Sequence, residues 1–198
     1  MSDAGRVIAG SAKGIRLRAP GPGTRPLADR VKQTLFAVLE PDLGEARFLD
    51  LFAGSGAAGI EALSRGAASA TFVEKDARAA TVIADNLRAT QLGERATVIR
   101  VDVLRWLDGG PFAAPFDVVV VDPPYAETDL LAAVLAALGR PDSPLADTAR
   151  VVAKHFWRDR PPERIGMLAV ERERRFGETA LTFYRASGRD ESERSEPG

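Results

Sequence analysis

The sequence predicts an α/β chain built on a doubly wound, mostly parallel sheet, and three observations carry that prediction. From Arg47 onward, strand-like apolar stretches (47–52, 70–74, 97–101, 117–121 and 150–153) alternate with helical ones (57–65, 77–91, a short turn at 104–107, and 128–138). One strand holds four consecutive valines, 118–121, as expected of a strand covered on both faces. The first strand also runs directly into a turn with Gly54, Gly56 and Gly59, after which a helix begins.

The flanking segments read differently. Residues Arg6 to Arg18 contain two strand-like pieces, Val7 to Ala9 and Ile15 to Leu17, around a Gly-Ser-Ala-Lys-Gly turn, which predicts a small N-terminal hairpin. A proline- and glycine-rich loop, Pro20 to Pro26, leads to a helix from Ala28 to Leu39, with Val31, Leu35, Val38 and Leu39 at helical spacing and Pro41 closing it. Beyond residue 165, Met167 to Arg174 and Ala180 to Arg185 flank a Phe-Gly-Glu-Thr turn and predict an antiparallel hairpin at the sheet edge. The expected organisation is a basic hairpin and loop over 1–26, a main domain over 27–186, and a polar tail over 187–198 that lacks the apolar residues needed to order it.

Composition removes several function classes. At 198 residues the chain suits one well-buried domain with small appendages. It has no apolar run of the ~18–20 residues a membrane span needs and no basic-then-apolar start, so a soluble cytoplasmic protein without a membrane partner is expected. With no cysteine and one histidine, disulfides, thiolate nucleophiles and multi-histidine metal sites are excluded, and no metal is expected. The net charge of −1 hides a separation along the chain: Met1 to Lys32 holds seven basic residues against two acids.

The glycine turn, Asp50-Leu51-Phe52-Ala53-Gly54-Ser55-Gly56-Ala57-Ala58-Gly59, matches the G-x-G-x-x-G of dinucleotide-binding folds, and Glu74 stands where a ribose-binding acid belongs. A nicotinamide or flavin enzyme stays open on these residues alone. Asp102 after the third strand supplies a further acid at the same sheet edge, which suits S-adenosylmethionine better. Asp122-Pro123-Pro124-Tyr125 after the fourth strand is more specific. An amino nitrogen conjugated to a base ring is a poor nucleophile because its lone pair is delocalised. A carboxylate and a backbone carbonyl can accept its two N–H bonds and aim the lone pair. The prolines fix that backbone, and the tyrosine ring can stack on the base.

With these motifs in place, the chain resembles the bacterial 16S rRNA guanine-N2 methyltransferases of the RsmD type, over roughly residues 6 to 185. The resemblance is carried by RVIAG and KGIRL near the start, RPLADRVKQTLF at 25–36, LDLFAGSGAAGIEALSRGA at 49–67, FVEKD at 72–76 and VVDPPY at 120–125, in that order. Where the family usually reads RPT, Leu27 stands in the threonine's place.

The resemblance implies a Rossmann-like class I S-adenosylmethionine-dependent methyltransferase fold, with a seven-stranded mostly parallel sheet, a C-terminal antiparallel hairpin and the small N-terminal hairpin as an extension. It implies S-adenosylmethionine as donor and the 2-amino group of one guanine in small-subunit ribosomal RNA as acceptor, by direct in-line transfer onto an unstacked base. Carried over, Asp50 and Gly54 to Gly56 would hold the methionine part, Glu74 the ribose and Asp102 the adenine. Phe52, Ala53, Ser55, Lys75, Val103 and Asp122 complete the cofactor set. Asp122, Pro123 and Tyr125 would hold the guanine. Arg6, Lys13, Arg16, Arg18, Arg25 and Arg30 would track the RNA backbone. The expected partner is 16S rRNA, in the small subunit or an assembly intermediate, and the expected state is a monomer.

Competing readings remain. Each strand-end acid could be solvated, and the N-terminal arginines could serve solubility alone. His155, beside Phe156 and Trp157, reads better as a packed residue than as a proton acceptor. The same Asp-Pro-Pro-Tyr could serve an adenine-N6 DNA methyltransferase, although such enzymes need a separate target-recognition region and only a hairpin and tail follow the core here. A non-catalytic RNA-binding assembly factor is the alternative from another class.

Overall fold

In the computed structural model, which describes residues 3–21, 29–124 and 128–187, runs of buried apolar residues make the central strands of the sheet. The strands are β3 (Arg47–Leu51), β4 (Ser69–Val73), β5 (Ala96–Ile99), β6 (Phe116–Val121), β7 (Leu145–Phe156), β8 (Arg164–Ile165), β9 (Leu168–Phe176) and β10 (Thr179–Ala186). They form one sheet in the order β5-β4-β3-β6-β7-β10-β9-β8. The pairs from β5 to β7 are parallel, and those from β7 to β8 are antiparallel. The parallel part with the β9–β10 hairpin is the predicted seven-stranded arrangement, and the two-residue β8 is an addition the sequence did not signal.

Both faces are covered, as the valine run requires. Phe48, Phe72, Val118, Val120 and Val152 pack with α1 (Asp29–Leu43), α2 (Ala57–Ser64) and α3 (Ala77–Thr90). Leu49, Val119, Val121, Val151 and Tyr184 pack with α4 (Val103–Leu107) and α5 (Thr128–Leu138). In α3 the Asp76 carboxylate accepts from the amide of Ala79 and so caps the first turn.

Three elements depart from the sequence reading. The α1 helix does not stop before Pro41 but continues to Leu43. Pro41 forfeits one hydrogen bond, to the carbonyl of Ala37, which is an exposed residue that water can reach, and the burial of Leu39 and Leu43 on either side offsets that loss. The β7 strand extends at both ends of the predicted 150–153 and gains antiparallel pairing with β10 along its second half. The N-terminal strands are β1 (Asp3–Arg6) and β2 (Arg16–Arg18), so Val7 to Ala9 is not strand.

That last difference has a specific cause. The amides of Ile8 and Ala9 donate to the Glu61 carboxylate of α2, at 2.8 and 3.0 Å, instead of to a strand. Ser64 of α2 holds the next turn: its hydroxyl donates to the Ala9 carbonyl and accepts from the Ala12 amide, and its carbonyl accepts from Ser11. Gly10 is required there, because a Cβ on it would lie 1.8 Å from the Ser64 carbonyl oxygen. The fully buried Lys32 donates to the Arg6 carbonyl and stands 3.7 Å from Glu61. Burial lowers its pKa, while Glu61 opposes that shift. The hairpin is therefore docked on a buried ionic network rather than hung from the domain.

Candidate active site

Strand order brings the sequence-predicted acids to one edge. β3 lies between β4 and β6, so the turn after β3, Glu74 after β4 and Asp122 after β6 are neighbours at the carboxyl ends.

The glycine turn is shaped by backbone that other residues resist. Gly54 and Gly56 have φ of 54° and 76°, and Phe52 adopts 63° without being glycine, a strained value of the kind concentrated at ligand sites. Gly59 has no room for a side chain, because a Cβ would meet the Phe72 ring at 2.3 Å. Three polar side chains fix the turn. Glu74 accepts from the amides of Gly54 and Asp76, both at 2.8 Å. Asp50 accepts from Gly59 at 2.9 Å. Asn86 of α3, missed in the sequence, donates to the Ser55 carbonyl and, at the same nitrogen, to that of Arg18, while its oxygen accepts from the Arg18 amide. One buried amide thus joins the glycine turn to β2.

The acids differ in environment. Asp50 is buried, and desolvation, against the Gly59 hydrogen bond, raises its pKa from 3.8 to about 8. Glu74 is buried with one hydrogen bond on each oxygen. Asp102 does not close β5, which ends at Ile99. It is exposed and caps α4, with one oxygen accepting from Leu104 and Arg105. Val103 points into the core, Lys75 is exposed beside the rim, and Ala53 and Ser55 are buried in the turn.

Asp122 has a partner that the sequence did not announce. The Lys154 ammonium of β7 lies 2.6 Å from Asp122 Oδ1, with both side chains partly buried. Burial raises the Asp122 carboxyl and Lys154 pulls it back, leaving it above its ordinary value. The register explains the meeting: Val120 pairs with Val152 and Val121 with Ala153, so the next step sets Asp122 beside Lys154. His155, next in sequence, points to the opposite face. Its Nδ1 faces the Phe156 carbonyl and its Nε2 the Thr182 hydroxyl, so it is a satisfied, buried residue.

Of the six basic residues expected to meet RNA, Arg6, Arg16 and Arg18 are exposed and each pairs with an acid, Asp29, Asp3 and Asp85 respectively. Lys13 and Arg30 are exposed without a carboxylate partner among the described residues. Arg25 and Tyr125 lie outside the described residues.

The donor set suits a nucleoside cofactor. The glycines of the turn let a ligand approach backbone, Glu74 stands beside it, and Asp102 keeps an oxygen with no hydrogen bond among the described residues. Fold and site together define a Rossmann-like class I methyltransferase. The chain belongs to the family "Conserved hypothetical protein 95", whose model matches residues 5–185. It is 35% identical over 189 residues to ribosomal RNA small subunit methyltransferase D of Escherichia coli, covering 95% of this chain and 93% of that one. It is 38% identical to YlbH of Bacillus subtilis, over 92% of this chain and 100% of the relative. The solved structure of yhhF from Escherichia coli superposes with a TM-score of 0.80 at 34% identity, over 93% of this chain and 98% of that one. SMU.776, solved in complex with SAH, shares the fold with a TM-score of 0.64 at 12% identity, over 84% of this chain and 52% of that one.

Proposed function

We propose that the chain methylates the exocyclic 2-amino group of a guanine in small-subunit ribosomal RNA, with S-adenosylmethionine as donor. The observation that carries this reading is the Asp122-Pro123-Pro124 segment, beside the glycine turn and with its carboxylate anchored by Lys154. The family membership and the names of its relatives support the choice of substrate.

When bound, S-adenosylmethionine supplies a methyl group made electrophilic by its sulfonium. Glu74 would hold the ribose diol, Asp102 the adenine amine, and the Gly54 to Gly56 turn the methionine part, with Asp50 buttressing the turn from below through Gly59. Phe52, Ala53, Ser55, Lys75 and Val103 line or support that cradle. The remaining work falls to the other half of the site. Asp122 Oδ1 is held by Lys154, which leaves Oδ2 and the Pro123 carbonyl to accept the two N–H bonds of the amine, and Tyr125 to stack on the base. Lys154 is a positioning residue, since it acts through Asp122. Its charge works against the burial that raises the Asp122 carboxyl and so favours the ionised form, which accepts hydrogen bonds. The amine loses its extra proton to water after transfer, so no residue is needed as a base.

Residues 1–26 form the RNA-contacting extension of this reading and 27–186 its catalytic domain. The hairpin arginines can exchange their acids for phosphates cheaply, because exposed pairs contribute only about 0–1 kcal/mol. The protein acts as a monomer in the cytoplasm, on the small subunit or an assembly intermediate. The test is transfer of labelled methyl from S-adenosylmethionine to small subunits from cells lacking the protein, followed by nucleoside analysis. Label as N2-methylguanosine is the expected result. Label confined to DNA adenine would replace this reading with an adenine-N6 methyltransferase, and tight RNA binding without label would leave a non-catalytic factor.

A further inference from the structure

The antiparallel half of the sheet carries a row of residues that the reading above does not use. Residues directly opposite in antiparallel strands share a face. The register places Lys154, Leu181 and Arg174 in one such row, Phe156, Thr179 and Phe176 in the next, and Val152, Phe183 and Arg172 in the one before. Lys154 reaches Asp122, so this is the face that holds the acceptor site. Arg174 stands two strands away from Lys154, roughly 10 Å across the sheet, and Arg172 about 7 Å along the strand from Arg174.

Val152, Leu181 and Phe183 of these rows are buried in the core, so the open part of the face is the row of Phe156, Thr179 and Phe176 and the edge of β9, whose chemistry is that of a single-strand binding surface. Arg172 and Arg174 are exposed and meet no carboxylate among the described residues. Among the described residues, Arg174 donates to the Glu173 backbone carbonyl. The neighbouring acids are spent elsewhere: Glu171 is held by Arg150 and Arg185, and Glu173 lies with Thr182 on the opposite face, paired with Arg160. Phe156 and Phe176 are half-buried, Phe176 packing in part on the core, and a base could lie on the part of each that is open.

We infer that the open part of this face, the row of Phe156, Thr179 and Phe176 and the outer edge of β9 with Arg174 and Arg172, is a binding platform for single-stranded RNA. Arg172 and Arg174 take successive phosphates, and Phe156 and Phe176 stack the bases next to the one held at Asp122. A base can be swung into a pocket only if its neighbours give up their stacking, and aromatic rings beside the pocket replace what they lose. The inference rests on the reading of the chain as an RNA methyltransferase and adds where the flanking strand runs.

The test measures anisotropy of a fluorescein-labelled, guanine-containing single-stranded RNA 12-mer over a range of salt. The double variant R172A/R174A should bind about tenfold more weakly, with the slope of log K against log salt reduced by about 1.4, the value for two lost phosphate contacts on a single strand. Phe156→Leu should weaken binding several-fold with the slope unchanged. Unaltered melting temperature and SAH affinity by calorimetry establish that the variants are folded. Wild-type affinity and slope in the double variant would overturn the platform. So would loss of binding to intact small subunits with naked RNA bound normally, which would make the face a protein contact. Failure of the wild-type protein to methylate ribosomal RNA overturns the functional reading instead, and the anisotropy arms read the platform independently of it.

Discussion

The two hairpins at the ends of the chain are both arginine-rich, and they are built in opposite ways. The N-terminal one is tied to the domain by buried groups, Glu61, Lys32, Ser64 and Asn86, and its arginines Arg6, Arg16 and Arg18 are each matched with an acid. The C-terminal one is an extension of the sheet itself, held by backbone pairing to β7, and on the site-facing side Arg172 and Arg174 have no carboxylate partner among the described residues. A count of charges along the sequence singles out the first region. The structure shows that a local excess of positive charge and the availability of that charge are separate properties. What separates them is where acids distant in sequence come to lie, as Asp85 does beside Arg18.

This contrast can be broken from the side of stability. The largest effect is expected from Glu61→Ala, which removes the carboxylate beside buried Lys32 and leaves the Ile8 and Ala9 amides without an acceptor. A loss of about 3–5 kcal/mol in urea unfolding is predicted. A smaller loss would mean the hairpin is not docked through that network.

The next effect belongs to the glycine turn, which Asn86 ties to the N-terminal hairpin. Folded Asp50 retains its proton up to about pH 8 while an unfolded aspartate releases it near 3.8. The unfolded chain therefore binds fewer protons across that window, and stability falls as the pH rises through it. Asp50→Asn should flatten this dependence while keeping an acceptor for Gly59, which urea midpoints at pH 5 and pH 8 would show.

Asn86→Ala should cost about 1–3 kcal/mol, since the Ser55 carbonyl and both backbone groups of Arg18 lose their partner together. It should also weaken SAH binding several-fold in calorimetry, because the Ser55 carbonyl no longer fixes the turn. Smallest of all, Arg16→Ala and Arg174→Ala should each change stability by less than about 0.5 kcal/mol. If Arg174→Ala alone proved strongly destabilising, that arginine would be a structural element and not an exposed contact.

Much of the architecture was legible because it depends on local pattern. The four valines from 118 to 121 and the glycines at 54, 56 and 59 announce a buried strand and a ligand turn through properties of adjacent residues. Asp122 was legible for the same reason, as the end of a strand followed by two prolines. Lys154 was not, although it touches Asp122, because the encounter depends on the register between β6 and β7, which no local pattern fixes. Asn86 and Glu61 were hidden by the same cause: each is a polar residue inside a helix pattern, and the backbone groups its side chain binds lie 31 to 68 and 52 to 53 positions away. The error at Pro41 came from counting the hydrogen bond a proline removes without the burial of Leu43 beyond it, which depends on tertiary packing.

The central claim is that Asp122, anchored by Lys154, presents the acceptor amine for transfer. Single-turnover methylation of small subunits by Asp122→Ala, with SAH binding confirmed by calorimetry, tests it most directly. The account predicts cofactor binding near that of the wild type and a methyl-transfer rate reduced by about 100-fold or more. A rate equal to that of the unaltered protein would contradict it.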